Sequence, residues 1–229
     1  MEFSIKPLMA SNFLVIFDLD GTLVHSNINY EQIRNEIKGI LAKILTPEEY
    51  KQVVSVPRSI LELLSIVQKH DTTQHELKRA WEIIEHYETL GYENATIKQD
   101  VLPTLDKLKK EGYKIAILTN NSRKLTEYAL NKFRLLPYVD AVITRDDITQ
   151  RKPHPEGIYK LMKQFNAKPQ TTLFIGDSWL DCEAALKAKI NFAYLGHDKT
   201  SVTREKNYSE IPIIMEIRDV LKLLNLEDK

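Results

Sequence analysis

Short, uninterrupted runs of hydrophobic residues recur along the chain and predict strands that are buried on both faces. The longest runs occupy residues 12–18, 113–119 and 171–177, and shorter ones occupy residues 141–144 and 192–196. Their apolar residues are continuous rather than alternating. This pattern is typical of parallel sheets, whose strands are covered by helices on both faces.

Amphipathic segments with helical spacing separate these runs. They span residues 102–111, 122–133, 155–165 and 180–188, and a further helix is expected at 217–224. Pro103 lies at the start of the first segment and Gly112 ends it, while Ser122 is a suitable N-cap for the second. Strands that alternate with helices indicate βαβ units, so the predicted fold class is α/β with a Rossmann-like parallel sheet.

One long block lacks this alternation. Helical patterns at residues 30–45, 47–54, 59–70 and 74–90 follow one another without a buried strand between them. Trp81 and Tyr87 lie at near-helical spacing and are predicted to be in the core of this block. We therefore predict a discontinuous core domain, residues 1–24 and 98–229, with a helical domain inserted at residues 25–97.

Composition and charge restrict the class of protein further. The 229 residues are 43% hydrophobic and 28% charged, which is ordinary for a globular protein. Lys+Arg and Asp+Glu are both 32, so the basic excess of a nucleic-acid-binding protein is missing. No run is long enough to span a membrane, and we see no signal-peptide pattern. The single cysteine, Cys182, is compatible with a cytoplasmic protein.

Polar side chains gather where the predicted strands end. In open α/β sheets, ligands bind at the carboxyl ends of the strands, so these side chains are the candidate site. The carboxylates are Asp18, Asp20, Asp177 and Asp181, and the other polar groups are Thr119, Asn120 and Lys152.

These residue types suit phosphoryl transfer. Asp18 and Asp177 can reach one Mg²⁺ from neighbouring strands, and zinc is disfavoured because Cys and His ligands at metal spacing are missing. Lys152 and Thr119 can neutralise and hydrogen-bond phosphoryl oxygens. Of the two carboxylates in Asp18-Leu19-Asp20, one can attack phosphorus while the other transfers a proton.

Each of these residues also has a purely structural interpretation. Asp20-Gly21 is a common turn pair, and Thr119 to Ser122 can be a loop that ends in an N-cap. Lys152 can be a solvated loop residue. Asp177 and Asp181 can be acids at a helix start. Outside the set, His25, Arg58 and Trp179 can contact a substrate. Their alternative interpretations are a solvated linker histidine, a surface ion pair and a packing residue, respectively, and Cys182 is expected to be a small buried residue.

Four segments, taken together, resemble the haloacid dehalogenase-like (HAD) phosphatases. Residues 17–22, FDLDGT, are similar to the first family motif, DxDGT. The Thr119 segment LTN and the Lys152 segment KPHP resemble the second and third motifs, and residues 176–181, GDSWLD, resemble the fourth, GDxxxD. All four occur in the family's order and span most of the predicted core domain.

The resemblance implies a role for each matching position. Asp18 would be the nucleophile and a metal ligand, and Asp20 would be the general acid/base and bind the metal through its carbonyl. Thr119, Asn120 and Lys152 would bind phosphate. Asp177 would bind the metal, and Asp181 would support the metal site or orient Lys152. The inserted helical domain corresponds to the C1 cap, which in this family closes over the active site. The layout looks like that of the phosphoglycolate phosphatases.

The expected function is therefore a Mg²⁺-dependent phosphomonoester hydrolase that acts on a small phosphorylated metabolite. The carboxylate at Asp20 favours phosphoryl transfer, because the dehalogenases of the family lack it. The transport ATPases carry DKTG and membrane helices, and this chain has neither. A phosphomutase of the same fold stays open as an alternative, and so does a non-catalytic binding or regulatory module that retains the motifs.

Overall fold

A computed structural model describes residues 13–197 and 211–226. Within them the strands are β1 (Leu14–Phe17), β2 (Val24–His25), β3 (Thr96–Ile97), β4 (Lys114–Leu118), β5 (Ala141–Ile143), β6 (Thr172–Gly176), β7 (Asn191–Leu195) and β8 (Ile213–Ile214). The α-helices are α1 (Tyr30–Ile44), α2 (Pro47–Val54), α3 (Ile60–His70), α4 (His75–Glu93), α5 (Val101–Lys110), α6 (Arg123–Lys132), α7 (Glu156–Phe165), α8 (Trp179–Ala188) and α9 (Asp219–Leu223).

Six of the strands form one parallel sheet in the order β5-β4-β1-β6-β7-β8. The central strand β1 pairs with β4 on one side and β6 on the other, and Phe17 is level with Ile117 and Ile175. Helices from the same chain pack against the sheet, and every residue of β1 and β6 is buried. The predicted α/β class with a parallel Rossmann-like sheet is confirmed.

The five predicted strands are present: four are slightly shorter than their hydrophobic runs, and β7 has the predicted length but begins one residue earlier. Residue 12, where the first run begins, lies outside the described residues. Three short strands were not predicted from the sequence: β2 and β3 pair antiparallel with each other, and β8 adds a parallel edge next to β7. Each of these is only two residues long, which is too short to produce a detectable hydrophobic period.

The predicted helix-boundary residues in the core unit act as expected. The Ser122 hydroxyl accepts the Leu125 main-chain N–H at 3.3 Å and so caps α6. Gly112 follows α5 with φ of +83°, a conformation that glycine adopts without strain. The C-terminal helix, α9, is shorter than the predicted 217–224.

The described residues form two compact units: one contains residues 13–25, 96–197 and 211–226, and the other is Ser26–Ala95. In the second unit, α1 packs against α3 and α4. The Thr46–Glu49 and Ser59–Glu62 pairs form capping boxes that start α2 and α3.

The interior of the helical unit differs from the prediction in one respect. Trp81 and Tyr87 were expected in its core, but both are only partly buried, and the Tyr87 hydroxyl donates to Glu36 Oε1 at 2.5 Å. Ala80, Ile84 and Tyr92 are the buried hydrophobic residues on the same helix. Near-helical spacing identified one side of α4, but not the side that faces the core. Among residues 13–197 and 211–226, no helix is both long and apolar enough to span a membrane.

Candidate active site

Three neighbouring strands end in the predicted site residues. Asp18 follows β1, Thr119 follows β4 and Asp177 follows β6, and β4 and β6 are the two strands that flank β1. The main-chain N–H of Asp18 donates to the Ile175 carbonyl at 2.9 Å, which continues the sheet pairing up to the carboxylate. Parallel pairing therefore brings these three side chains to one edge of the sheet.

Lys152 reaches this edge from the loop between β5 and α7. Its Nζ lies 2.8 Å from Asp18 Oδ1 and 2.6 Å from Asp181 Oδ1. The Lys152 side chain is only 3% exposed, and its ammonium also lies 5.6 Å from the centroid of the Phe174 ring. Lys152 is thus a buried cation between two carboxylates, and the interpretation as a solvated loop lysine is wrong.

Negative charge exceeds positive charge in this cluster. Burial raises the pKa of the Asp18 carboxyl well above its ordinary value; Lys152 opposes this shift, while Asp181 and Asp177 add to it. Burial alone would lower the pKa of Lys152, but Asp18 and Asp181 outweigh burial and raise that pKa. Three carboxylates thus share one ammonium, a balance that favours binding a further cation.

Asp177 lies on the other side of the cluster. The buried Thr22 hydroxyl donates to Asp177 Oδ1 at 3.0 Å. Burial raises the pKa of Asp177 to about 6, and the nearby Asp181 carboxylate contributes to the shift. Gly21 packs so closely that a Cβ at that position would overlap Asp177 Oδ2, and its φ is +82°. Only a residue without a side chain fits there.

Asp181 connects the start of α8 to Lys152. Its Oδ2 accepts hydrogen bonds from the Ser178 N–H at 3.1 Å and the Ser178 hydroxyl at 2.5 Å, so the pair forms the capping box of the helix. Its Oδ1 faces Lys152, and the residue is fully buried. Asp181 is therefore an acid at a helix start, and it also contacts Lys152; its predicted supporting role stays a prediction.

Thr119 and Asn120 lie beside Lys152, at the end of β4. The Thr119 hydroxyl accepts the N–H of Asn121 at 3.1 Å. The Asn120 amide donates from Nδ2 to the Lys152 carbonyl at 3.0 Å and accepts the Lys152 N–H on Oδ1 at 3.1 Å. Of the two predicted phosphate-binding residues that follow β4, Asn120 therefore contacts the third, Lys152, directly.

Asp20 lies in a tight turn between β1 and β2. It forms a bridge with Val24, and the Gly21 N–H donates to the Val24 carbonyl at 2.8 Å. The Asp20-Gly21 pair is therefore a turn, as the structural interpretation held. Asp20 follows Asp18 by two residues at the same edge of the sheet. Its expected role in proton transfer stays a prediction.

The donor set fits a hard divalent cation. One carboxylate oxygen from each of Asp18, Asp177 and Asp181 lies within 4.8 Å of the others. Mg²⁺ prefers such oxygen ligands and retains several water molecules. The geometry brings together two of the predicted ligands, Asp18 and Asp177. The third, Asp20, was predicted to bind through its carbonyl and stays a prediction, and Asp181 takes the third place among the clustered carboxylates.

The remaining candidates have simpler surroundings. Cys182 is buried, and burial raises its thiol pKa to about 12, so it is the inert small residue expected. Arg58 donates from Nε to the Val53 carbonyl at 3.1 Å, at the end of α2. Trp179 is 38% exposed at the first position of α8. His25 is exposed on β2.

Two hydrogen bonds to site carboxylates were missed from the sequence. Thr22 supports Asp177, although it belongs to the same FDLDGT segment as Asp18. Ser178 supports Asp181, and the Ser-x-x-Asp spacing of a capping box was available to identify it.

Comparison with known proteins shows which sequences and folds this chain resembles. Residues 15–195 match the sequence profile of a family described as Haloacid dehalogenase-like hydrolase. Pyrophosphatase PpaX of Bacillus cereus (strain Q1) is 32% identical over 184 residues, which cover 73% of this chain and 75% of that protein. A predicted phosphoglycolate phosphatase from Haemophilus somnus 129PT superposes with a TM-score of 0.64 at 24% identity, covering 94% of this chain and 99% of that one.

A further solved structure has the same fold. It is assigned as a β-phosphoglucomutase from Thermotoga maritima, and it superposes with a TM-score of 0.62 at 20% identity, covering 94% of this chain and 100% of that one. At these identities, the two solved structures indicate a shared fold, while the family profile and the PpaX protein indicate shared descent.

Proposed function

Because this chain belongs to the haloacid dehalogenase-like hydrolase family and is a phosphatase of that family, we propose that it is a Mg²⁺-dependent phosphomonoester hydrolase acting on a small phosphorylated metabolite. One observation carries the proposal. Lys152 is buried between Asp18 and Asp181 at the carboxyl edge of the sheet, in a cluster with an excess of carboxylate. Such a cluster suits the binding and transfer of a phosphoryl group.

Asp18 is the proposed nucleophile. The Leu19 N–H at 2.7 Å and the Lys152 ammonium both contact Asp18 Oδ1, so Oδ2 is the oxygen that we assign to the attack. Oδ2 attacks phosphorus, and the bond between phosphorus and the ester oxygen breaks. The product of this step is an aspartyl-phosphate on Asp18 and the alcohol.

Asp20 is the proposed proton carrier. It gives a proton to the departing ester oxygen in the first step. In the second step it takes a proton from the water that attacks phosphorus, which releases inorganic phosphate and restores Asp18. The same residue acts first as acid and then as base, so the cycle ends with both carboxylates in their starting state.

Thr119, Asn120 and Lys152 form the proposed phosphate-binding side of the site. Lys152 supplies positive charge to the phosphoryl oxygens, and the end of β4 supplies hydrogen-bonding groups next to it. Mg²⁺ would be held by the Asp18 and Asp177 carboxylates and the Asp20 carbonyl. When bound, it would neutralise carboxylate charge and orient the phosphoryl group.

A panel of phosphate compounds tests this proposal and its rivals. The panel should include phosphoglycolate, a sugar phosphate and pyrophosphate, with free phosphate and sugar isomers both measured. Release of phosphate that requires Mg²⁺ and stops with excess chelator is the expected result. Isomerisation without phosphate release would support a phosphomutase instead. No turnover of any compound would overturn the proposal and favour a non-catalytic module.

Pyrophosphate is a second candidate substrate. It is favoured by the 32% identity to Pyrophosphatase PpaX, which extends over 73% of this chain. Pyrophosphate carries the same phosphoryl group but leaves a phosphate instead of an alcohol. A kcat/KM for pyrophosphate well above that for every monoester in the panel would establish it as the preferred substrate.

A further inference from the structure

The side chain of Asn120 pairs with both main-chain polar groups of Lys152. Its Oδ1 accepts the Lys152 N–H at 3.1 Å, and its Nδ2 donates to the Lys152 carbonyl at 3.0 Å. A carboxamide carries one acceptor and one donor group, which match the N–H and C=O of a single residue. The pairing joins two segments that are 32 residues apart in sequence.

Lys152 needs such support because it lies in a loop, outside any strand or helix. The helix α7 begins only at Glu156, and β5 ends at Ile143. A lysine side chain is long and flexible, and its ammonium can occupy many places around the main chain. The position of the main chain therefore decides which partners the ammonium can reach. Here the ammonium must lie between Asp18 and Asp181, at 2.8 Å and 2.6 Å.

Asn120 is itself held in place. It follows directly after Thr119 at the end of β4, and its carbonyl accepts a hydrogen bond from the Arg145 guanidinium at 3.4 Å. The next residue, Asn121, accepts the Arg145 N–H on its carbonyl at 3.1 Å. The end of β4 and the contacts with Arg145 therefore hold Asn120, and Asn120 in turn holds the main chain of Lys152.

We propose that Asn120 is a positioning residue whose side chain acts through Lys152 by setting the place of its ammonium against Asp18. Its effect on turnover rests on the function proposed above. This refines the phosphate-binding role given to Asn120, because its amide is directed at the main chain of Lys152. A displacement of about 1 Å in a catalytic group can cost on the order of a hundredfold in rate.

A double-mutant cycle tests the proposal in the full chain. Asn120→Ala alone is expected to lower kcat/KM by about tenfold to a hundredfold. In the Lys152→Ala background, the same change should alter kcat/KM by less than about twofold, because the group that it positions is gone. Asn120→Leu keeps the branched shape of the side chain without its hydrogen bonds and should give the same results. It replaces Asn120→Ala in the cycle if the alanine variant does not fold.

Asn191 offers a matched control. Its Nδ2 also donates to main-chain carbonyls, those of Gln170 at 3.3 Å and Thr172 at 3.2 Å, but it lies at the opposite end of the sheet on β7. Asn191→Ala should lower the melting temperature and leave kcat/KM within about twofold. The proposal is overturned if Asn120→Ala behaves like this control, or if it lowers kcat/KM equally with and without Lys152.

A crystal structure of the Asn120→Ala variant gives a readout that does not depend on activity. The Lys152 ammonium is expected to leave hydrogen-bonding distance of Asp18, Asp181 or both. An ammonium that stays between the two carboxylates would overturn the positioning role. If the unaltered protein releases no phosphate from any compound, the proposed function is wrong. The crystal structure of the variant would still show whether Asn120 positions Lys152.

Discussion

The ammonium of Lys152 lies 2.6 Å from Asp181 Oδ1, while the other oxygen of that carboxylate accepts the two hydrogen bonds that begin α8. Asp181 therefore fixes the lysine relative to a helix start. Because the carboxylate is fully buried, both of its oxygens need partners within the protein. Its two functions, in capping and in holding Lys152, can be separated by substitution.

Asp181→Asn should lower kcat by about tenfold to a hundredfold, as is common when a group that supports a catalytic residue is removed. An asparagine has one accepting oxygen, so it cannot accept from Lys152 and Ser178 with different oxygens. Ser178→Ala is the matched control. It removes one capping bond to Oδ2, should cost about 1 kcal/mol of stability and should leave kcat nearly unchanged. Equal losses of kcat in the two variants would mean that capping alone explains the role of Asp181.

Gly21→Ala should weaken Mg²⁺ activation. A methyl group there would overlap Asp177 Oδ2, and the φ of +82° is strained for alanine, so the substitution must displace the proposed ligand or the turn. Stability should fall by about 1 kcal/mol or more, and the Mg²⁺ concentration for half-maximal activity should rise. Titration of activity with Mg²⁺ measures the second effect.

Gly39→Ala is the control for that variant. Gly39 lies within α1 and has nothing within 4 Å of the place where its Cβ would be. Alanine is the better helix former, so this change should raise the free energy of unfolding by about 0.5–1 kcal/mol. Mg²⁺ activation that is unchanged by both substitutions would contradict the close packing of Gly21 on a metal ligand.

The gathering of site residues at one sheet edge was predictable because it follows from strand ends. Asp18, Thr119 and Asp177 each come directly after a hydrophobic run, and parallel pairing places such positions together. The short strands β2, β3 and β8 left no hydrophobic period to detect. The partly buried Trp81 shows that spacing identifies a helix more readily than the side of it that meets the core.

The hydrogen bonds that support the site could not be predicted in the same way. The Thr22–Asp177 bond spans 155 positions, and the pairing of Asn120 with the main chain of Lys152 depends on how a loop folds against the end of β4. Such contacts depend on side-chain direction in three dimensions. Hydrophobic periodicity carries no information about that direction, so only residue type marked these positions as candidates.

The affinity for Mg²⁺ should depend on pH through Asp177. Burial and Asp181 raise the pKa of Asp177 to about 6, and a protonated carboxyl is a poor ligand, so Mg²⁺ must displace the proton. Below pH 6 the apparent affinity should fall by at least about tenfold per pH unit, because the pKa of the second carboxylate ligand, Asp18, is also raised and Asp18 takes up a proton as well. Calorimetric titration with Mg²⁺ at several pH values measures this, and Asp177→Asn should bind weakly at every pH.

The stability of the metal-free protein should also depend on the protonation of Asp177. It should fall as the pH rises, whereas the affinity for Mg²⁺ should increase. The ordinary pKa of 3.8 applies to the unfolded chain, so between pH 3.8 and about 6 the folded protein binds the extra proton. This contribution to stability is complete below pH 3.8 and is lost as the pH rises through 6. Chemical unfolding should show a smaller loss in Asp177→Asn than in the unaltered protein, since Asp18, whose pKa is also raised, still titrates in the variant; an equal loss in both proteins would mean that Asp177 does not contribute.

The thiol of Cys182 should have no part in turnover. The residue is 1% exposed, and burial raises its pKa to about 12, so little thiolate forms near neutral pH. Cys182→Ala should keep kcat/KM within about twofold and cost about 1 kcal/mol of stability through a small cavity. Thiol-blocking reagents should leave the folded protein active. Loss of activity in both experiments would indicate a cysteine nucleophile and contradict the role given to Asp18.

Asp18→Asn should abolish turnover without loss of the fold. The amide oxygen can still accept the Leu19 N–H, but an amide is too weak a nucleophile to form the acyl-phosphate, so kcat should fall by at least about a thousandfold. Removing one of the carboxylates that share Lys152 also relieves negative charge, so the metal-free variant should be at least as stable as the unaltered protein. Kinetics and thermal unfolding on the same preparations test both effects. Substantial turnover in a fully folded Asp18→Asn protein would rule out covalent transfer to this residue.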